Sequence, residues 1–126
     1  MLYAILCYQA EGEVCAMSKE EDAAMMAELA LAKEAAGKRV TFGPTARLMP
    51  TTAATTVREG KEITLLDGPF AETKEQLLGF YTVEADSLED AIEAAKILAG
   101  PRIKIGLRGA LEVRPVLYFE NPAPSP

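Results

Sequence analysis

The first strand-like segment has no polar side. Across residues 2–9, LYAILCYQ, the residues Leu2, Ala4, Leu6 and Tyr8 fall on one face, and Tyr3, Ile5 and Cys7 fall on the other. A period of two identifies a β-strand, and apolar residues on both faces predict cover on both. At Ser18 the spacing becomes helical. Ser18 and Glu21 form a capping box, the Ala-, Met- and Leu-rich stretch runs to about Ala36, and Gly37 supplies a stop. A short strand is expected over 39–42, with the FGP of 42–44 ending it.

The segment AATTVREGKEITLL then predicts a hairpin, because Thr and Val favour strands and Glu59-Gly60 supplies the turn. After it comes LLDGPFAETKEQLLGF, residues 65–80. Here an apolar run stops at Asp67, Gly68-Pro69 bends the chain, and Glu72, Lys74 and Glu75 follow. Thr73 and Gln76 repeat the capping pattern, so KEQLL is expected to make one helical turn. A strand at 78–85 leads to a second helix capped by Ser87, with Asp90 three residues on. Its buried stripe is expected at Leu88, Ala91, Ile92, Ala95 and Leu98, and Gly100-Pro101 is expected to end it. The last strand is expected over 110–119, with NPAPSP, residues 121–126, as a disordered tail.

The resulting order is β-α-β, a hairpin insertion, then β-α-β. That is an α+β chain of the ferredoxin-like split βαβ type, in a single domain over residues 1–120. Two helices cover one face of such a sheet. The second apolar face calls for other cover, and a second copy of the sheet predicts a homodimer, an α/β barrel formed by two chains. The alternative is a monomer with the hairpin folded across the open face.

Composition narrows the chemistry. The chain of 126 residues is 49% apolar and 25% charged, as globular proteins are, with a net charge of -6 that gives nucleic-acid binding no electrostatic support. It has no apolar run long enough to span a membrane and no basic leader, so a cytoplasmic location is expected. Cys7 and Cys15 lack zinc-ligand spacing, and there is no phosphate-binding glycine loop, so no metal or cofactor is expected. The chain also has no histidine. This excludes His-based general bases, Ser-His-Asp triads and His-ligated metals. Acid–base chemistry would fall to carboxylates, Lys, Tyr or Cys.

The candidate site residues come from two places. Asp67, Glu72 and Lys74 cluster in irregular chain, where sites are often built, although Asp is also an ordinary turn former. Asp67 is the candidate catalytic base or polar anchor, and Lys74 the anion contact. On the last strand, alternation puts Glu112, Arg114, Val116 and Tyr118 on one side, either as a cleft wall or as a solvated face. Arg114, Tyr118 and Tyr8 complete the candidate ligand-binding set. Arg47, among small hydroxyl residues, is a further candidate for an anion.

The segments AATTVREGK, LLDGPFAETKEQLLGFYTVEADSLEDAIEAA and ALEVRPV resemble the YCII-related domain family, in its DGPF subgroup, over nearly the whole chain. The resemblance implies a dimeric α/β barrel. Some members carry a histidine–aspartate pair in a cleft, which this chain cannot reproduce. Many members of the subgroup are encoded beside extracytoplasmic-function sigma factors, which implies a sigma factor as a candidate partner. The matching motif extends the possible site to Asp67, Gly68, Pro69, Phe70, Glu72 and Lys74, and also to Arg114. Three readings are therefore expected: a small-molecule-binding dimer, catalytic through carboxylates if it is an enzyme; a regulatory interaction protein; or a purely structural role in which the DGPF segment, with Phe70, locks the dimer.

Overall fold

The structure is a computed structural model and describes residues 1–121. The expected tail lies, from residue 122 onward, outside the described residues. The elements are β1 (Leu2–Gln9), α1 (Glu11–Cys15), α2 (Lys19–Ala36), β2 (Thr41–Arg47), β3 (Thr55–Arg58), β4 (Thr64–Asp67), β5 (Gln76–Glu84), α3 (Leu88–Lys104) and β6 (Gly109–Pro115). The main sheet has the order β2-β5-β1-β6, with every neighbouring pair antiparallel. Each helix of the pair α2 and α3 connects two strands that are not hydrogen-bonded to each other. β5 separates β1 from β2, and β1 separates β5 from β6. This is the α+β class expected from the alternation, with both βαβ units split. The described residues form no closed barrel.

The core lies between the sheet and the helix pair. β1 buries every second residue, Tyr3, Ile5, Cys7 and Gln9, while Leu2, Ala4, Leu6 and Tyr8 point to the other face and stay half-buried. Ile5, Val83 and Leu98 are fully buried, each worth about 1.5–3 kcal/mol relative to exposure. α2 begins at the expected capping box: the Ser18 hydroxyl accepts from the Glu21 amide (3.0 Å) and Glu21 accepts from the Ser18 amide (2.9 Å). Ser87 caps α3 by accepting from the Asp90 amide at 3.2 Å. The Asp90 carboxylate does not return the bond and meets Arg39 at 3.4 Å instead.

Several expectations are corrected. The buried stripe of α3 is Ala91, Ala94, Ala95 and Leu98, while Leu88 and Ile92 are exposed. These four occupy the i, i+3, i+4, i+7 positions, and their methyl groups let the helix lie close to the sheet. Gly100-Pro101 does not end α3, which continues to Lys104. Pro101 sits in the last turn, where it removes the single i→i−4 bond to the Ile97 carbonyl and the helix carries on for three more residues. The chain leaves the helix at Gly106, at φ 81. FGP does not end β2 either. β2 is an edge strand, its register shifts between Phe42 and Thr45, and the Thr82 hydroxyl donates to the Pro44 carbonyl at 2.8 Å. An edge bulge is a place where a missing N–H is tolerated. β6 stops at Pro115 rather than 119, its last link being the Val116 amide to the Leu2 carbonyl (2.9 Å).

The predicted hairpin is present as β3 and β4, a separate two-stranded sheet. Its extensive contacts are between its own two strands. Val57, Ile63 and Leu65 remain exposed, so it is not laid across the open face of the main sheet. The expected helical turn at KEQLL is absent, because β5 begins at Gln76. The Gln76 side chain donates to the Thr73 carbonyl at 2.5 Å, and the Thr73 hydroxyl donates to the Glu75 carbonyl.

Candidate functional site

The sequence-derived candidates separate into three places. Asp67 ends β4, and Glu72 and Lys74 follow it in the chain leading to β5; all three side chains are exposed and make no side-chain hydrogen bond or ion pair among the described residues. The DGPF bend beneath them is held by its backbone. The Gly68 amide donates to the Ala54 carbonyl (2.7 Å), the Thr56 hydroxyl donates to the Gly68 carbonyl (2.8 Å), and Gly68 has φ 95. That conformation favours glycine. Phe70 projects into solvent, 73% exposed.

Tyr8 and Arg114 do share a face. Arg114 pairs with Ala4 and Tyr8 with Ala110 across β1 and β6, on the side away from the helices. Arg114 is hydrogen-bonded to Glu112 on that same face. Tyr118 does not join the row. It lies past the end of β6, exposed, with its hydroxyl donating to Glu120 at 3.0 Å.

A denser polar constellation forms where β1 ends and α1 begins. Gln76 accepts a hydrogen bond from the Glu11 amide (2.9 Å). The Glu11 carboxylate in turn accepts from the Thr51 amide (2.8 Å) and from the Thr51 hydroxyl. These two bonds, the hydroxyl's first, hold the Glu11 carboxyl below the usual range. On the other wall Arg47 donates to Asp22 from both terminal nitrogens, at 2.7 and 3.1 Å. Those hydrogen bonds lower the Asp22 carboxyl and raise the guanidinium.

Between these walls lies a cleft of about 320 Å³ whose lining includes Glu11, Cys15, Asp22, Arg47 and Met49. It shares Val14, Arg47 and Leu78 with a deeper cavity of about 100 Å³ between the sheet and the helices. The deeper cavity is lined by Met25, Met26, Leu29 and Leu78 and by the polar residues Gln9, Thr45, Arg47, Tyr81 and Arg102. A larger groove of about 520 Å³ lies where α1 and α2 meet the end of α3, but its charged residues Glu13, Glu21, Glu28 and Lys104 are exposed and solvated. Burial pushes the Cys7 thiol up, against a smaller opposing effect of the Arg102 charge, so Cys7 stays protonated at neutral pH.

Glu11 and Asp22 are committed to partners that favour their ionised forms. The arrangement is therefore better suited to holding a ligand than to moving a proton. Sequence reasoning singled out Arg47 and missed Gln9, Glu11, Asp22, Gln76 and Arg102. One signal was available: Gln9 is the polar member of the buried row Tyr3, Ile5, Cys7, Gln9, and Glu11 follows directly where the strand ends.

A small antiparallel α+β domain with a cleft at one end of its sheet is thus the class of protein defined by fold and site. The YCII-related domain matches residues 1–120, and the chain belongs to that family. It is also 46% identical over 127 residues to an uncharacterised protein of Rhizobium meliloti (strain 1021), an alignment that covers 99% of this chain and 100% of the relative. Among the described residues no helix is long and apolar enough to cross a membrane.

Proposed function

We propose that the protein is a homodimeric small-molecule-binding protein of the DGPF branch of its family, with the ligand entering through the cleft beside α1. The observation that carries this reading is the pair of joined cavities, an outer cleft edged by ionised groups and an inner one mostly apolar. Ligand sites are concave, largely apolar and marked by a few placed polar groups. The position differs from the DGPF loop indicated by the sequence, because Asp67, Glu72 and Lys74 face solvent and line none of the cavities described.

Dimerisation is supported by the sheet face opposite the helices. Leu2, Ala4, Leu6, Tyr8 and Phe80 present a largely apolar surface that α2 and α3 do not reach. Two such faces packed together would form the α/β barrel. The exposed apolar residues of the hairpin, Leu65 and Phe70 among them, extend the surface available to a partner chain. In this arrangement the DGPF segment serves assembly, and Asp67 is a candidate polar anchor at its edge.

Sedimentation and native mass spectrometry of the purified protein test both halves. The expected result is a dimer that Leu6→Lys converts to monomer, with Phe70→Ala weakening it. A monomeric wild-type protein would remove the barrel. A thermal-shift screen of small metabolites, repeated with Asp67→Asn and Arg47→Leu, locates the ligand. Stabilisation lost in Arg47→Leu and kept in Asp67→Asn supports the α1 cleft, and the reverse restores the DGPF loop. A stoichiometric protein partner, with no stabilising small molecule, would favour the sigma-factor reading instead.

A further inference from the structure

Two polar side chains at the inner end of the cleft make no hydrogen bond within the described residues. Gln9 is only 6% exposed, yet its amide group makes no hydrogen bond among the described residues. Tyr81 is 7% exposed, and its hydroxyl likewise has none. No polar side-chain atom among the described residues is both fully buried and unpaired, so the free groups of Gln9 and Tyr81 reach open space. Neither group is sealed in protein, since both line the inner cavity of about 100 Å³.

Beside them stands a cation without an anion. Arg102 is half-buried, donates from one terminal nitrogen to the Leu98 carbonyl at 2.9 Å, and pairs with no carboxylate among the described residues. Arg47, the other guanidinium of this cavity, is already held by Asp22. Gln9 and Arg102 both line a second small cavity of about 70 Å³ as well, on the β6 side. They therefore form a shared wall between two spaces. Apart from Thr45, the remaining lining of the inner cavity is largely apolar, with Met25, Leu29 and Leu78 prominent.

We infer that this inner cavity is a binding site for a short organic carboxylate. Arg102 would receive the carboxylate with its unengaged N–H groups, a geometry guanidinium matches well. The Gln9 amide would donate the second hydrogen bond and Tyr81 a third. Met25, Leu29 and Leu78 would contact the carbon chain. A space of this size equals the liquid share of roughly three waters, so the ligand has only a few carbons. The inference rests on the ligand-binding reading above and names the chemical class bound at its inner end.

The test is isothermal titration calorimetry of the full-length chain with acetate, propionate and butyrate, and with propionamide and inorganic phosphate as controls. The expected result is binding of at least one carboxylate, no binding of propionamide, and a loss of tenfold or more in both Arg102→Met and Gln9→Glu. The second variant keeps the side-chain size but places a like charge at the site. Circular dichroism confirms that each variant is folded, and Gln9→Leu substitutes for either that is not. Failure of every carboxylate to bind the wild-type protein overturns the inference, as does binding that all folded variants retain. Phosphate binding as tight as that of the carboxylates overturns it in favour of an inorganic oxyanion. If other compounds of the thermal-shift screen bind while carboxylates do not, the ligand-binding reading stands and only this inference falls. If nothing in either experiment binds, both fall.

Discussion

Arg47, at the end of β2, grips Asp22, in the first turn of α2, through two N–H···O bonds of 2.7 and 3.1 Å. The pair ties the edge strand to the helix layer at the mouth of the cleft. Both side chains are partly exposed, 48% and 35%, so solvent screens the attraction. The expected cost of Asp22→Asn is ~0.5–1 kcal/mol, a fall in Tm of a few degrees at this chain length. A double-mutant cycle with Arg47→Leu should recover most of that as coupling. Additive single effects would show that the pair contributes shape and little energy.

Glu11 predicts a pH dependence. Its folded-state pKa is depressed by Thr51, so its contribution is present above the unfolded value of about 4.3 and is lost as pH falls through the lower folded value. Denaturant unfolding of wild type and Glu11→Gln should therefore differ most near neutrality and converge as pH drops below about 4. A gap that stays constant on acidification would mean that Thr51 does not favour the ionised form.

At Gly79 a side chain has nowhere to go. A Cβ there would stand 2.6 Å from the Ala46 carbonyl oxygen and 3.4 Å from the Arg47 Cα. Gly79→Ala should push β2 off β5 at a cost of ~1–3 kcal/mol. Hydrogen exchange should localise the damage to the Leu48 amide, which now donates to the Leu78 carbonyl at 2.8 Å. A variant as stable as wild type, with that amide still protected, would show that the strands can separate locally without penalty.

The two thiols should differ in their accessibility to a reagent. Cys15 is exposed and Cys7 is buried, with its thiol pushed up by desolvation. A chromogenic disulfide reagent should react with one thiol in the native protein and with two after denaturation, the native product mapping to Cys15. Native labelling of Cys7 at a comparable rate would mean that the inner cavity opens freely.

The elements most legible in the sequence were those fixed by periodicity and by a cap with its own partner. The row Tyr3, Ile5, Cys7 identified β1, and Ser18 with Glu21 marked the start of α2 at the residue where it begins. The misreadings arose where a local pattern was outcompeted by a distant group. Thr73 and Gln76 have the spacing of a helix cap, but Gln76 is occupied by the Thr73 carbonyl and the Glu11 amide. Pro44 looked like a strand end, and Thr82, thirty-eight residues away, accommodates it inside a strand. The inner cavity was illegible for the same reason. Gln9, Tyr81 and Arg102 lie on three different elements, and no spacing along the chain records that they meet.

The alanine-rich packing of α3 has a consequence for how the inner cavity can change size. Ala91, Ala94 and Ala95 hold one part of the helix layer against the sheet with nothing larger than a methyl group. Enlarging any of them would lift the helix, and none has volume to give up. A change in the volume of the inner cavity is therefore easier to make from α2, where Met25, Met26 and Leu29 face it and flexible thioethers can be exchanged for shorter or longer apolar groups. One helix is anchored by its alanines and the other is free to vary, so positions 25, 26 and 29 are where the cavity can be reshaped at least cost to the fold.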